Sequence, residues 1–180
     1  MQQNTSSLSR RKVTAGLAWS VPAVAAVAAA PFAAASHHCP TVTGVGNAVK
    51  YPGTSKTGLK QAYGFPITVT NTTDDTILLT PGDVTVKFDK KDTVTNAKVA
   101  LYSKSPCDGG VPLTEEQLTL APGESLTLFY VANETGNSAN DGGCIDGNIR
   151  VELVGGTMTD SDCGTVTVPR VCFSETPPSC

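Results

Sequence analysis

The sequence predicts an all-β sandwich, and three observations carry that prediction. Apolar and polar residues alternate with period two in several short stretches, as in strands that bury one face. Phe65–Thr70 (FPITVT) and the run Val84, Val86, Phe88 between Thr85, Lys87 and Asp89 are the clearest. Clusters of Pro, Gly, Asn and Asp interrupt these stretches about every ten residues, the spacing of a sandwich or barrel. Past residue 35 the one helix signal is Thr114-Glu115-Glu116-Gln117, a capping box long enough for a single turn. Together these predict about seven or eight antiparallel strands in two layers.

Taken in order, Val42 and Val45 mark a first strand. Residues 47–64, with Pro52, Gly53, Gly58 and Gly64, read as loop, with an edge strand as the alternative. Ile67 and Val69 share the buried face of the next strand, and Asn71-Thr72-Thr73-Asp74-Asp75 ends it with side chains that bond nearby backbone. Thr76–Thr80 reads as a strand, Pro81-Gly82-Asp83 as a turn, and Val84–Phe88 as the following strand. Asp89-Lys90-Lys91-Asp92 is a charged hairpin tip, followed by a strand at Lys98–Tyr102 and a loop at 103–112 that holds Cys107. In Leu118–Ala132 (LTLAPGESLTLFYVA) alternation runs on both sides of Pro122-Gly123, which reads as a hairpin. A polar Gly/Asn loop is expected over 133–148, a strand at Ile149–Leu153, and a last strand through Val166 and Val168 that Pro169 ends or places on an edge. Eight aromatics follow residue 35, so the expected core is mainly Val, Leu and Ile. Disulfides then supply what it lacks, at roughly 2–4 kcal/mol each.

Residues 1–35 read as a cleavable signal peptide: Arg10-Arg11-Lys12, an Ala/Val-rich segment, then Ala33-Ala34-Ala35 before Ser36. A spanning helix wants about 20 consecutive apolar residues, and Ser20, Pro22 and Pro31 interrupt this one. The expected organisation is a leader at 1–35, a sandwich at 36–173, and a Pro/Ser tail at 174–180 tied back by Cys180. Cleavage removes three basic residues and no acidic one, leaving 10 basic and 16 acidic residues and a net charge of −6. That balance gives no electrostatic footprint for nucleic acid or an anionic membrane. All six cysteines (Cys39, Cys107, Cys144, Cys163, Cys172 and Cys180) lie past the cut. An even number in an exported chain is a disulfide framework whose pairing the sequence leaves open. No C-x-x-C occurs, which argues against zinc.

The Leu118–Ala132 stretch, with L-x-P-G-E-S before a Thr-rich apolar strand, resembles a strand pair of immunoglobulin-like sandwich modules in exported Gram-positive cell-envelope proteins. The resemblance implies immunoglobulin-like architecture and a secreted or cell-surface location. Ser9-Arg10-Arg11-Lys12-Val13 resembles a twin-arginine signal, although Val13 and Thr14 stand where that pattern prefers Phe and Leu. The general secretory route therefore remains the alternative. The Ala/Val/Pro style of the leader is similar to those of high-GC, actinobacterial-type Gram-positives.

Two metal readings arise. Cleavage after Ala35 would make His38 the third residue, so that an amine, two amide nitrogens and an imidazole form a square-planar Cu(II) or Ni(II) set, with His37 beside it. Cleavage one residue later would resemble lytic polysaccharide monooxygenases, but their second copper histidine has no counterpart among the two adjacent histidines here. Asp141, Asp146, Asp160 and Asp162 lie in Asp/Gly/Asn turns that offer oxygen ligands to calcium, without the spacing of an EF-hand loop. Catalytic sets are missing: there is no G-x-S-x-G, and no histidine inside the domain to serve a serine or cysteine. Asn71-Thr72-Thr73 and Asn133-Glu134-Thr135 have the form of glycosylation sequons and read as turn residues. The function expected is a non-catalytic module without a cofactor, recognising a protein or cell-wall partner through the 133–148 loop or the Cys107 loop, with metal handling as the alternative.

Overall fold

The computed structural model describes residues 39–44, 46–51, 58–136, 141–156 and 163–174. Among them ten strands form two antiparallel sheets: β1 (Thr41–Gly44), β2 (Val49–Tyr51), β3 (Ala62–Thr70), β4 (Ile77–Phe88), β5 (Val94–Thr95), β6 (Lys98–Tyr102), β7 (Thr119–Leu120), β8 (Ser125–Asn133), β9 (Gly143–Leu153) and β10 (Thr165–Phe173). One sheet has the order β1-β3-β8-β6, with β2 also pairing β3. The other has the order β10-β9-β4-β5, with β7 also pairing β4. β1, β3, β8 and β6 thus occupy positions A, B, E and D of an immunoglobulin sandwich, and β10, β9, β4 and β5 occupy G, F, C and C′. The fold is the β-sandwich that the alternation predicts, with the immunoglobulin-like architecture that the resemblance implies. It has ten strands among the described residues where about seven or eight are expected, since β2, β5 and β7 are only two or three residues long.

The core lies between the sheets and is built by period two. Tyr63, Phe65, Ile67 and Val69 of β3 and Leu128, Tyr130 and Ala132 of β8 face Ile145, Ile149 and Val151 of β9, all at most 2% exposed. Aliphatic side chains predominate, but aromatics contribute more than expected. Tyr63 stacks on Phe173 with centroids 4.4 Å apart, and Phe88 meets Tyr63 edge-on at 5.8 Å. A second cluster of Tyr51, Leu59, Ala62, Tyr102 and Val131 covers the outer face of the β3-β8 sheet. The segment read as loop over 47–64 therefore supplies β2, the start of β3 and part of a core.

Pro81-Gly82-Asp83 does not reverse the chain. It is a bulge within the continuous strand β4, where the register against β9 shifts between Pro81 and Val84. The extra residue changes the parity of the inward positions, Ile77 and Leu79 before it and Val84, Val86 and Phe88 after it. Asn148 Oδ1 accepts from the Asp83 N–H at 2.9 Å, and a Cβ on Gly82 would overlap that amide oxygen. β10 has the same device. Its inward residues switch from Val166 and Val168 to Phe173 across a register shift at Pro169-Arg170. β9 thus runs between two bulged strands, and Tyr130 reaches across the core to donate to the Asp83 and Asn148 carbonyls at 3.4 and 3.3 Å.

The Pro122-Gly123 reversal is a crossover, not a hairpin. β7 pairs with β4 and β8 with β3 and β6, so the turn carries the chain from one sheet to the other. Gly123 takes the positive φ the turn needs. Asn71, fully buried, anchors it from across the fold: its side chain donates to Leu120 O at 3.1 Å and Asp75 O at 2.8 Å. The Asp89–Asp92 tip closes a hairpin onto β5, after which β6 crosses to the other sheet. The Thr114 capping box forms only a 3-10 turn at Glu116–Leu118, with Gln117 Oε1 accepting from the Thr114 N–H at 3.1 Å.

Candidate functional site

Two groups of loops emerge at the ends of the sandwich. At the end where β4 and β8 finish and β9 begins lie the β4–β5 turn and the segment after β8. Asn133 Oδ1 accepts from the Lys60 N–H at 2.8 Å, and Thr135, fully buried, donates its hydroxyl to Gln61 O at 2.6 Å. Asp141, 5% exposed, accepts from the Lys90 N–H through both carboxylate oxygens, while Gly142 O accepts from the Asp89 N–H at 2.9 Å. The two loops so joined wall a groove of about 570 Å³ lined by Phe88, Lys90, Lys91, Asp92, Val94, Thr135 and Gly136.

Beneath this end the aromatic cluster carries two unusual polar groups. Lys50, only 5% exposed, places its ammonium 5.8 Å from the Tyr63 ring centroid. Burial, and then the Lys91 charge, lower its pKa. The Tyr63 hydroxyl is buried with no hydrogen-bond partner, and burial, with the Asp141 charge, pushes its pKa up to about 12. The opposite end holds a smaller depression of about 440 Å³ between Asp74, Asp75 and Thr76 on one side and Leu153 to Gly156 on the other, beside Pro122.

All four tyrosines of the domain are held neutral by burial, Tyr51 to about 12 and Tyr102 and Tyr130 also upward. Raised folded values mean that the native state keeps protons the unfolded chain releases near the usual tyrosine pKa of about 10. The stability they contribute is complete below that pH and is lost as pH rises towards the folded values. Alkaline titration should therefore leave phenolate absorbance flat up to about pH 10 and then show ionisation coinciding with unfolding. Gradual ionisation well below the unfolding transition would contradict this.

The candidates from the sequence are distributed as follows. Cys39 pairs with Cys163 and Cys144 with Cys172, and Cys107 is also disulfide-bonded. Cys144 and Cys172 lie on β9 and β10 rather than in loops, because β9 begins at Gly143 and absorbs the end of the expected 133–148 loop. Asp146 is likewise a strand residue, held by Arg170 through a bidentate pair at 2.6 and 2.7 Å. Asp141 is turned inward to the Lys90 amide, so both carboxylates are engaged in protein contacts. His37, His38, Asp160, Asp162 and Cys180 lie outside the described residues. Among the described residues no group of three or more His, Cys, Asp or Glu could hold a metal ion. The Cys107 loop is packed: Ser105, 7% exposed, caps the 3-10 turn at Pro106–Asp108, and its hydroxyl meets Tyr51 Oη at 3.3 Å. Lys50, Tyr63 and the lysine-lined groove were not legible as a site, since their approach depends on how β2 returns to β3.

No family model matches the chain, and no curated protein sequence matches it. Among solved structures it is similar to a Northeast Structural Genomics Consortium target, at 10% identity over 78% of this chain and 89% of that one, with a TM-score of 0.45. The putative ApaA protein of Bordetella pertussis is 14% identical over 78% and 95% of the two chains, with a TM-score of 0.40. PapD-like domain 7 of human CEP192 is 8% identical over 79% and 89%, also at 0.40. The class rests on the strand order described above: an immunoglobulin-like β-sandwich with disulfides. No helix among the described residues is long and apolar enough to cross a membrane.

Proposed function

We propose that this chain is an exported, non-catalytic interaction or structural module of an actinobacterial-type Gram-positive cell envelope, secreted or held at the surface. The leader of residues 1–35 directs export, by a twin-arginine-like route, and is removed after Ala35. The observation that carries the reading is the disulfide framework on a rigid sandwich: Cys39–Cys163 and Cys144–Cys172 suit an oxidising compartment. Recognition falls to loops on such a scaffold. The groove between the β4–β5 turn and the Glu134–Gly136 segment is the surface assigned to a protein or cell-wall partner.

The test is retention of the purified mature domain on isolated cell envelopes, comparing the parent with Lys91→Glu. Reversing a charge at a recognition surface should lower retention about fivefold or more, with the melting temperature unchanged. Equal retention of both proteins would remove the groove from the account, and turnover of wall polymers or peptides by the purified domain would overturn its non-catalytic character.

A further inference from the structure

The Cys144–Cys172 bond occupies a position that a purely structural cross-link does not need. Its two residues lie directly opposite each other in the β9-β10 ladder. It therefore joins strands already paired by backbone hydrogen bonds on both sides of it. The inward neighbours Ile145 and Phe173 pack in the core through their own side chains. Cys144 and Cys172 project instead from the outer face of the sheet, where Cys172 is exposed on the edge strand and Cys144 is half-buried.

The charges around the sulfurs are unequal. Lys87 of β4 stands directly opposite Cys144, so one row across three strands reads Lys87, Cys144, Cys172. Directly opposed residues on one face have Cβ atoms about 5 Å apart. Asp146, the carboxylate nearest along β9, is paired with Arg170 through both oxygens. The Asp146 charge is thus matched by Arg170, and Lys87 is the cation that directly faces Cys144 in the ladder. A nearby cation lowers a thiol pKa and makes that sulfur the better leaving group.

We infer that Cys144–Cys172 is a site of reversible thiol–disulfide exchange with an external dithiol. A thiolate of the dithiol attacks the exposed Cys172 Sγ. A mixed disulfide forms there as the Cys144–Cys172 bond breaks, and the electron pair leaves on Cys144 as a thiolate beside Lys87. The second thiol of the dithiol then displaces Cys172, so the dithiol becomes a disulfide and its two protons pass to the cysteines. Because the β9-β10 ladder persists, the reduced sulfurs stay adjacent, and reoxidation restores the bond without refolding.

The test exposes the folded, oxidised protein to dithiothreitol, quenches with iodoacetamide at intervals and maps alkylation of each cysteine by mass spectrometry. Near-ultraviolet circular dichroism reports the fold in parallel. Cys39, like Cys172, is exposed, so Lys87 sets the contrast, and Cys144 and Cys172 should be alkylated about threefold sooner than Cys39 and Cys163, before the native dichroism is lost. With limiting glutathione the mixed disulfide should be found on Cys172 rather than Cys144. Lys87→Gln should slow reduction about threefold at unchanged melting temperature. Joint reduction of Cys39–Cys163 and Cys144–Cys172, only as the dichroism collapses, would overturn the inference. So would a Lys87→Gln protein that reacts at the parent rate.

Discussion

A Cys39→Ala/Cys163→Ala double variant is expected to lose about 5 kcal/mol of unfolding free energy. The bond closes a loop of 124 residues in the unfolded chain, whereas Cys144–Cys172 closes one of 28. Chain-entropy arguments give about 5 kcal/mol for the first and about 3.5 kcal/mol for the second. Position points the same way. Cys39 precedes β1 at the edge of one sheet, and Cys163 precedes β10 at the edge of the other, so the bond holds together the two edges that meet along one side of the sandwich. Thr72 adds a hydroxyl bond to Cys39 O at 2.6 Å, which pins the same segment to the turn after β3. Thermal unfolding of the two double variants beside the parent provides the measurement. The Cys39/Cys163 variant should melt lowest, by about 15 °C relative to the parent, and a larger loss in the Cys144/Cys172 variant would contradict the argument.

Asn71→Ala should cost about 3 kcal/mol, a large effect for a residue that reads as an ordinary turn polar. The side chain is fully buried and its hydrogen-bonding capacity is used in full. Its amide donates to Asp75 O and Leu120 O, and its carbonyl accepts from the Thr73 N–H at 3.0 Å and the Thr73 hydroxyl at 2.7 Å. Truncation leaves the Leu120 carbonyl buried without this partner and loosens the crossover between β7 and β8, which the Asn71 backbone also grips through Glu124 O and the Gly123 N–H. Asn133, in the second sequon-like triplet, is half-buried, and its Oδ1 accepts a hydrogen bond from the Lys60 N–H. Asn133→Ala should therefore cost about 1 kcal/mol. Chemical denaturation of the two variants checks the contrast, and equal losses would show that the Asn71 network is not the anchor described.

The strands were legible where one face is buried and the other wet. Ile67 and Val69, Val84 to Phe88, Leu128 and Tyr130, and Ile149 to Leu153 all lie on the elements their alternation predicts. Three features were not legible, each for a physical reason. A Pro-Gly pair marks a break in regular backbone without saying whether the chain reverses, bulges or crosses between sheets. Pro81-Gly82 bulges and Pro122-Gly123 crosses, and only the parity switch from Leu79 to Val84 distinguished the first from a turn. At the end of the 133–148 stretch, Gly147 and Asn148 are strand residues that serve the contacts beneath Tyr130 and beside the β4 bulge. Tyr51 and Leu59 gave no periodic signal, since they cover the outer face of a sheet from positions that no run of alternating residues connects. The candidate site suffered most, because its groove joins residues far apart in sequence through hydrogen bonds of Asp141 and Thr135 that no local pattern announces.

The most direct test of a stapled, exported module is the intact mass of the protein recovered from outside the cell, with its first residue and its alkylation before and after reduction. The account predicts a chain that begins at Ser36 and takes up no iodoacetamide until reduced. Its peptide map should contain Cys39–Cys163 and Cys144–Cys172. A retained leader, or free thiols at those four positions in the exported protein, would contradict it.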